Sequence, residues 1–542
     1  LNALDAKTTG TVTATAMTLL SGSYTAVTGV LSAGGITKNG TAGSINVSLS
    51  GTASVSEVNT LDANAAIGSI AASLSAGDMT SLAALTGTGN AYSITVTDST
   101  VAATALNTLE GKTTEVVNAA GVGALTGSYT NVLASYNNAG IAGLGNEAVS
   151  LSDVSISIAN ANTMAGKTSG LITATLGSTT LADYAALTTS GAFTISLANA
   201  AVDASALKAL DALTSGTITL TAATSVSGAY AEVQSVLTAS SGQITGWSNP
   251  AVTITDTVTA LQANTLAVST LGVVTATLAS DAAATINATL TDATVNAYSI
   301  TVTDTTVSAA VLTALDGKTT VAVNADAVTT VVGTGSEVQA AYAANTGNTI
   351  TGLGTEAITV TDTVSAADAA TISGLSAGAV TATVTAASVG TLNTALAGVS
   401  GKDALSLQVT DTTGVTATSL TTLDGKTSAA IDAASVTGVT GTLVQVNALY
   451  QAGSQGTIVG LGNEAVEITG GSITVAQANA VAVQTSGVIT ADISTSDLAT
   501  LSTLTGSGHA YTITVGNTTV DAAELNALDA KTTGTVTATA MT

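Results

Sequence analysis

The sequence predicts an α/β solenoid of about 20 right-handed strand–helix coils stacked along one continuous parallel sheet. Three observations predict it. A short motif recurs at a period of roughly 105 residues, each period divides into four strand-and-helix stretches, and no hairpin turn separates them. A parallel β-helix with few helices is the runner-up, because many linking stretches are short and rich in Thr and Gly.

The repeat comes first. LDAKTT stands at Leu4, LEGKTT at Leu109, LDALTS at Leu210, LDGKTT at Leu315, LDGKTS at Leu423 and LDAKTT at Leu528, at intervals of 105, 101, 105, 108 and 105 residues. A second motif keeps the same period: IAGLGNEAVSLSD ends at Asp153, ITGWSNPAVTITD at Asp256, ITGLGTEAITVTD at Asp362 and IVGLGNEAVEITG at Gly470. The expected organisation is one solenoid over 1–542, in units of about 4–108, 109–209, 210–314, 315–422 and 423–527. Residues 525–542 are identical to residues 1–18, an offset of 524 that is close to five units. This suggests a window on a polypeptide with a third, longer repeat, or copies that stack end to end.

Within a unit, period-two alternation marks strands. In the third unit these are PAVTITDT from Pro250, VVTATLAS from Val273, AYSITVTDT from Ala297 and VAVNADA from Val321. VSAAVLTALDGKTT from Val307 reads as a helix, with Ala310, Val311, Leu312 and Leu315 as its apolar stripe. Asp304, Thr305 or Thr306 can cap its start, Gly317 sits where it ends, and Lys318 suits the dipole of its last turn. Strand, helix and strand without a hairpin favour parallel pairing, and neighbouring strands at about 4.8 Å would make a body about 100 Å long.

Alignment of one strand per unit tests the stacking. Tyr92-Ile94-Val96, Phe193-Ile195-Leu197, Tyr298-Ile300-Val302, Leu405-Leu407-Val409 and Tyr511-Ile513-Val515 are all apolar and are expected in the core. The residues between them, such as Ser93, Thr95 and Thr97, or Ser406, Gln408 and Thr410, are small or polar and face water or a partner.

Composition excludes whole function classes. The chain has 542 residues, a net charge of -25, nine cationic side chains that are all Lys, one His, one Pro and no Cys. Nucleic-acid binding relies on cationic patches, and phosphate chemistry on Arg or clustered Lys. A thiolate site needs Cys, and a triad or zinc centre needs more than a lone His. With 46% hydrophobic and 8% charged residues the chain is not of the disordered class. No run of 18 apolar residues predicts a transmembrane segment.

Five sets of residues are candidates for function. Asp98, Asp153, Asp256, Asp304, Asp362 and Asp411 end strands before helices; they read as helix caps, since Asn199 and Asn517 take aligned places, with structural calcium as the alternative. No GGxGxD repeat supports a calcium β-roll. Lys7, Lys112, Lys318, Lys426 and Lys531 are expected at helix ends within reach of Asp5, Glu110, Asp316, Asp424 and Asp529. Thr-x-Thr stretches, at Thr11, Thr95, Thr253, Thr301, Thr381 and Thr512, would lay hydroxyls on one sheet face, as on ice-binding surfaces, or simply suit exposed strands. Glu147, Glu356 and Glu464, with Pro250 at the aligned place, recur about 19 Å apart by strand spacing, too far for a glycosidase pair. His509 and Trp247 stand singly where other units have Asn and Leu, and are assigned no chemistry. No catalytic, cofactor-binding or metal residue follows from the sequence.

The motifs at Leu315–Thr320, Val321–Val328, Ser336–Ala344 and Ile350–Asp362, copied across the units, resemble repeats of very large cell-surface proteins of marine picocyanobacteria, of the type associated with swimming motility and surface shielding. The resemblance implies an exported, non-enzymatic protein of the cell surface or an extracellular fibre. The expectation is therefore a structural repeat protein, without cofactor, that joins further repeats or its own copies end to end. The alternative is an adhesin-type module whose Thr-rich face takes ice or a glycan.

Overall fold

Alternation of short strands with short helices governs the chain, as its periodicity requires. The computed structural model describes residues 1–239, 242–292 and 294–540. The last two residues of the repeated segment 525–542 therefore lie outside the described residues. Contacts group the chain into two compact units, Leu1–Asp256 with Ser269–Gly272, and Thr257–Val268 with Val273–Thr542.

In the first unit, six strands run in the order Ile141–Ala142, Val117–Asn118, Ala91–Thr95, Ile67–Leu74, Ile45–Ala53, Leu19–Gly22. Seven more run Ile244–Thr245, Ile218–Leu220, Ala192–Leu197, Ile172–Thr175, Ala148–Leu151, Ala124–Gly127, Thr100–Ala102. In the second unit a five-stranded sheet runs from Thr306–Ser308 to Ala404–Ser406, and a six-stranded one from Val415–Thr416 to Val536–Thr537. Neighbouring strands pair in parallel, as in Ala276 opposite Tyr298 and Val331 opposite Ile358. The expected α/β character and parallel pairing are thus present.

The expected single continuous sheet is not. The chain folds into several separate sheets, and the corner at the strand-end acid or amide is the reason. Residues 91–102, AYSITVTDSTVA, form the strand Ala91–Thr95, a corner at Asp98, and a second strand Thr100–Ala102. The first strand joins the six-stranded sheet through Val117–Asn118, and the second joins the seven-stranded sheet through Ala124–Gly127. The same break separates Ala297–Ser299 from Thr306–Ser308. Where the strand stays whole past its acid, as in Ala357–Val364, the register slips between Thr359 and Thr363, a bulge that absorbs the same turn.

The helix of the third unit is Ala309–Asp316, not a helix from Val307. Val307 belongs to the strand before it, Ser308 is the N-cap without a side-chain bond, and Asp304, Thr305 and Thr306 do not cap it. Its buried face is Ala309, Leu312 and Leu315, rather than Ala310 or Val311. Gly317 is the C-cap residue, as expected.

The core triplets lie where the alternation puts them. Tyr92, Phe193, Tyr298, Leu405, Tyr511 and the two apolar residues after each are at most 1% exposed. Small β-branched side chains surround these few large ones, so a strand buries little by itself and needs its neighbours.

Candidate functional site: polar contacts between successive segments

The LDGKTT motif is where buried polar chemistry concentrates. Its Leu is core in five of six copies: Leu109, Leu210, Leu315, Leu423 and Leu528 are 3% exposed or less, whereas Leu4 is exposed. Its first Thr is the centre of the site. The Thr319 hydroxyl accepts from the Tyr298 main-chain N–H at 2.9 Å and donates to the Tyr298 carbonyl at 2.7 Å. Thr113 does this to Tyr92, Thr214 to Phe193, Thr427 to Leu405 and Thr532 to Tyr511, all within 2.7–3.0 Å. Each hydroxyl therefore replaces a missing strand partner in the segment before it.

One residue before that strand, a second side chain accepts a main-chain N–H one segment further back. Asn90 accepts from Ile70 N–H, Asn296 from Val274 and Asp403 from Val380, each at 2.8 Å. His509 holds the aligned place, with Nδ1 accepting from Ile489 N–H at 3.2 Å. His509 is 8% exposed, and its removal from water holds its pKa below the ordinary value of 6.5.

The expected Lys–Asp pairs do not form. None of Lys7, Lys112, Lys318, Lys426 and Lys531 lies within ion-pair distance of the acid beside it; among the described residues Lys402 and Asp403 pair at 3.8 Å. The two charges of the motif point in opposite chain directions. Lys318 donates backward to the carbonyls of Asn287 and Leu290 at the end of the preceding helix, Ala283–Thr289. Lys426 reaches Ala397 O at 2.8 Å, and Lys531 reaches Ser502 O at 2.7 Å. Asp316 faces forward and accepts from Thr349 Oγ1 at 2.9 Å, as Asp424 does from Thr457 at 3.0 Å. Open carbonyls at a helix end draw a cation, which explains the backward reach.

The strand-end acids cap helices, but not the helices that follow them. Asp98 accepts from Met79 N–H, Asp153 from Tyr129, Asp256 from Tyr230, Asp304 from Ala283, Asp362 from Gly335 and Asp411 from Val389. Each target is the first residue of the preceding helix. Asn199 and Asn517 bond Leu181 and Leu498 N–H in the same way, both at 2.8 Å. Four of the helices that the acids reach also carry side-chain N-caps, such as Ser128 and Thr334, so the cross-segment acid satisfies a further free N–H there; the helices starting at Tyr230 and Ala283 have no side-chain cap, and the acid is their side-chain partner.

The recurrent Glu is a buried anion in a cradle of amides. Glu356 is 3% exposed; it accepts from Gly354 N–H at 2.8 Å and Thr355 N–H at 3.0 Å, and from the Tyr342 hydroxyl. Glu147 with Tyr136 and Glu464 with Tyr450 repeat the arrangement. Such consecutive amides form an anion-holding concavity. Burial, and then the carboxylate, push the hydroxyls of Tyr136, Tyr342 and Tyr450 well above the usual tyrosine range. The first Gly of the loop is required: a Cβ at Gly143 would lie 2.5 Å from Ala120 N, and φ there is +92°.

Sequence reasoning missed the Tyr–Glu pairing and the buried Thr. Trp247 and Pro250 occupy the loop of the third unit; the indole N–H is buried without a partner among the described residues. The outward Thr sets form broken rows: Thr359 stands opposite Thr381, but Thr381 opposite Ala404 and Glu467 opposite Thr490.

Among the described residues no three His, Asp or Glu side chains gather as metal donors. A cavity of about 540 Å³ lies beside Leu181, Tyr184, Leu187, Leu210 and Leu213. Its polar groups are already engaged, Asn199 with Leu181 N–H and Asp203 with Ala206 N–H. Among the described residues no helix is long and apolar enough to cross a membrane. Comparison with protein-family models, curated proteins and solved structures finds no match.

Proposed function

We propose that the chain is a non-enzymatic structural repeat protein of an extracellular fibre, filament or cell-surface layer. Its strand–helix segments would wind as right-handed coils of an α/β solenoid and join further repeats or other copies end to end. The observation that carries this reading is the buried Thr of the LDGKTT motif, bonded five times to the main chain of the preceding segment. Side chains that an enzyme would present to a substrate are here spent on the neighbouring segment. The charge balance, with acids outnumbering Lys by 34 to 9, suits a surface that stays soluble in salt water.

Electron microscopy and fibre diffraction test this. Rods or filaments with an axial repeat of about 4.8 Å are expected. A compact particle without that repeat would sink the proposal. The adhesin reading, with ice or a glycan on the Thr-rich face, is favoured only by local pairs such as Thr175 opposite Thr194. Shaping of growing ice crystals, or retention on a glycan array, by the dissolved chain would favour it instead. A calcium titration that raises the melting temperature would return the strand-end acids to metal binding.

A further inference from the structure

We propose that Asn39 is a site of spontaneous deamidation, in which the main chain of Gly40 is the nucleophile and water the co-reactant. Asn39–Gly40 is the sole Asn-Gly pair in the sequence. It lies between the strands Ile36–Lys38 and Ile45–Ala53, outside both.

Each atom the reaction needs is free or suitably held. The Asn39 carbonyl oxygen accepts from Thr41 N–H at 3.2 Å, which draws electrons from Cγ, the atom attacked. The Asn39 amide nitrogen, which must leave, donates to no group among the described residues. The Gly40 N–H, which must lose its proton, bonds to no carbonyl. Apart from its chain neighbours, no atom lies within 4 Å of where a Gly40 Cβ would be, so Gly40 sits in open space. Lys38 Nζ bonds the carbonyls of Val30 and Ala33 at 3.1 and 3.0 Å, which fixes the base of the loop and leaves its tip open.

Asn64, Asn118, Asn138 and Asn324 also accept from the N–H two residues on, but each is followed by Ala, whose Cβ restricts the attacking backbone nitrogen. Asn59 and Asn479 are tied on both sides of the amide. Asn59 donates to Ala84 O at 2.6 Å and accepts from Thr86 N–H at 3.1 Å. Asn479 is tied likewise to Thr503 O and Thr505 N–H. Both sit in helices and are followed by residues with a side chain.

The Gly40 nitrogen gives its proton to solvent base and bonds to Asn39 Cγ. The Cγ–N bond to the side-chain amide then breaks, and ammonia leaves with a proton from solvent. Water opens the resulting succinimide at either carbonyl, giving aspartate or isoaspartate with no change of oxidation state. A long-lived surface protein would gain one negative charge here with age, and in the isoaspartate product an extra backbone carbon between two strands.

The intact chain is incubated in mildly alkaline buffer, folded and in urea, and peptides are followed by mass spectrometry that separates aspartate from isoaspartate. Asn39 is expected to convert before every other Asn, to both products, at nearly the same rate folded as in urea. Gly40→Ala is expected to slow conversion roughly tenfold while leaving the melting temperature unchanged, since a Cβ restricts the backbone and meets no neighbour. Conversion of another Asn first, or a folded rate roughly tenfold below that in urea, would overturn the proposal.

Discussion

Replacing Thr319 with Val tests the central contact most directly. Valine keeps the shape and the β-branching and removes only the hydroxyl. Three bonds end: from Tyr298 N–H, to Tyr298 O, and from Val321 N–H at 3.1 Å. Thr319 is 7% exposed and Tyr298 is fully buried, so water cannot replace the hydroxyl without opening the segment. An orphaned buried N–H costs about 1–3 kcal/mol and each of the two further bonds about 0.5–1.5 kcal/mol net, so the loss should be about 2–6 kcal/mol. Urea unfolding measures it, with Thr320→Val as the exposed control, expected within about 0.5 kcal/mol of the parent. Native-state hydrogen exchange adds location: the Tyr298 amide should lose protection before amides of distant segments. A cost below about 0.5 kcal/mol for Thr319→Val would refute the reasoning, because the hydroxyl would then be no more than a surface group. The same change at Thr113, Thr214, Thr427 and Thr532 should add to it, since these sites share no partner.

Tyrosines of the two kinds should separate. Tyr342→Phe leaves Glu356 short of a donor and should cost about 1.5–3 kcal/mol, whereas Tyr298→Phe removes a buried hydroxyl that has no partner and should be neutral or stabilising, as Phe193 at the aligned place suggests. Burial holds the His509 pKa below its ordinary value of 6.5, so well above 6.5 folded and unfolded chains are alike, and stability falls as the pH drops below 6.5 because the unfolded chain takes up the proton more readily. His509→Asn, which supplies the acceptor that Asn296 supplies to Val274, should flatten that acid limb in a series of melting curves; an unchanged limb would refute the assignment. Asp304→Ala should cost about 0.5–2 kcal/mol through the Ala283 N–H, and Asp304→Asn much less, since Asn199 does this work for Leu181.

What the sequence reveals is set by how far away a residue's partner lies. Alternation located the core because burial follows from a residue's own strand: Tyr298, Ile300 and Val302 needed no knowledge of their neighbours. Parallel pairing followed from the absence of hairpin turns. Capping by Asp304 was legible as chemistry but not as direction, because its partner, Ala283, lies 21 residues back. For Lys318 adjacency misled. Asp316 is close in sequence, yet a surface ion pair gains less than open carbonyls at the end of another helix. The sheet breaks at Asp98 and Asp304 could not be read from alternation, which continues through the corner.

The Tyr–Glu pairing was within reach, and the third unit shows how. Tyr136, Tyr342 and Tyr450 accompany Glu147, Glu356 and Glu464, whereas Leu237 takes the Tyr place in the one unit that has Pro250 for Glu. Losing the hydroxyl alone would leave a buried carboxylate short of a donor. Losing the carboxylate alone would leave a buried hydroxyl and two amides without an acceptor. Removing both partners is the inexpensive route. The rest of the loop changed with them: Ser248 replaces the second Gly, and Asn249 takes the positive φ, +48°. The Thr that follows is unchanged in role, for Thr270 Oγ1 still bonds Pro250 O at 2.7 Å, as Thr168 bonds Glu147 O. The anion and its cradle can therefore be lost together while the contact to the preceding segment stays, which places the repeat's constraint on the Thr bond and not on the charge.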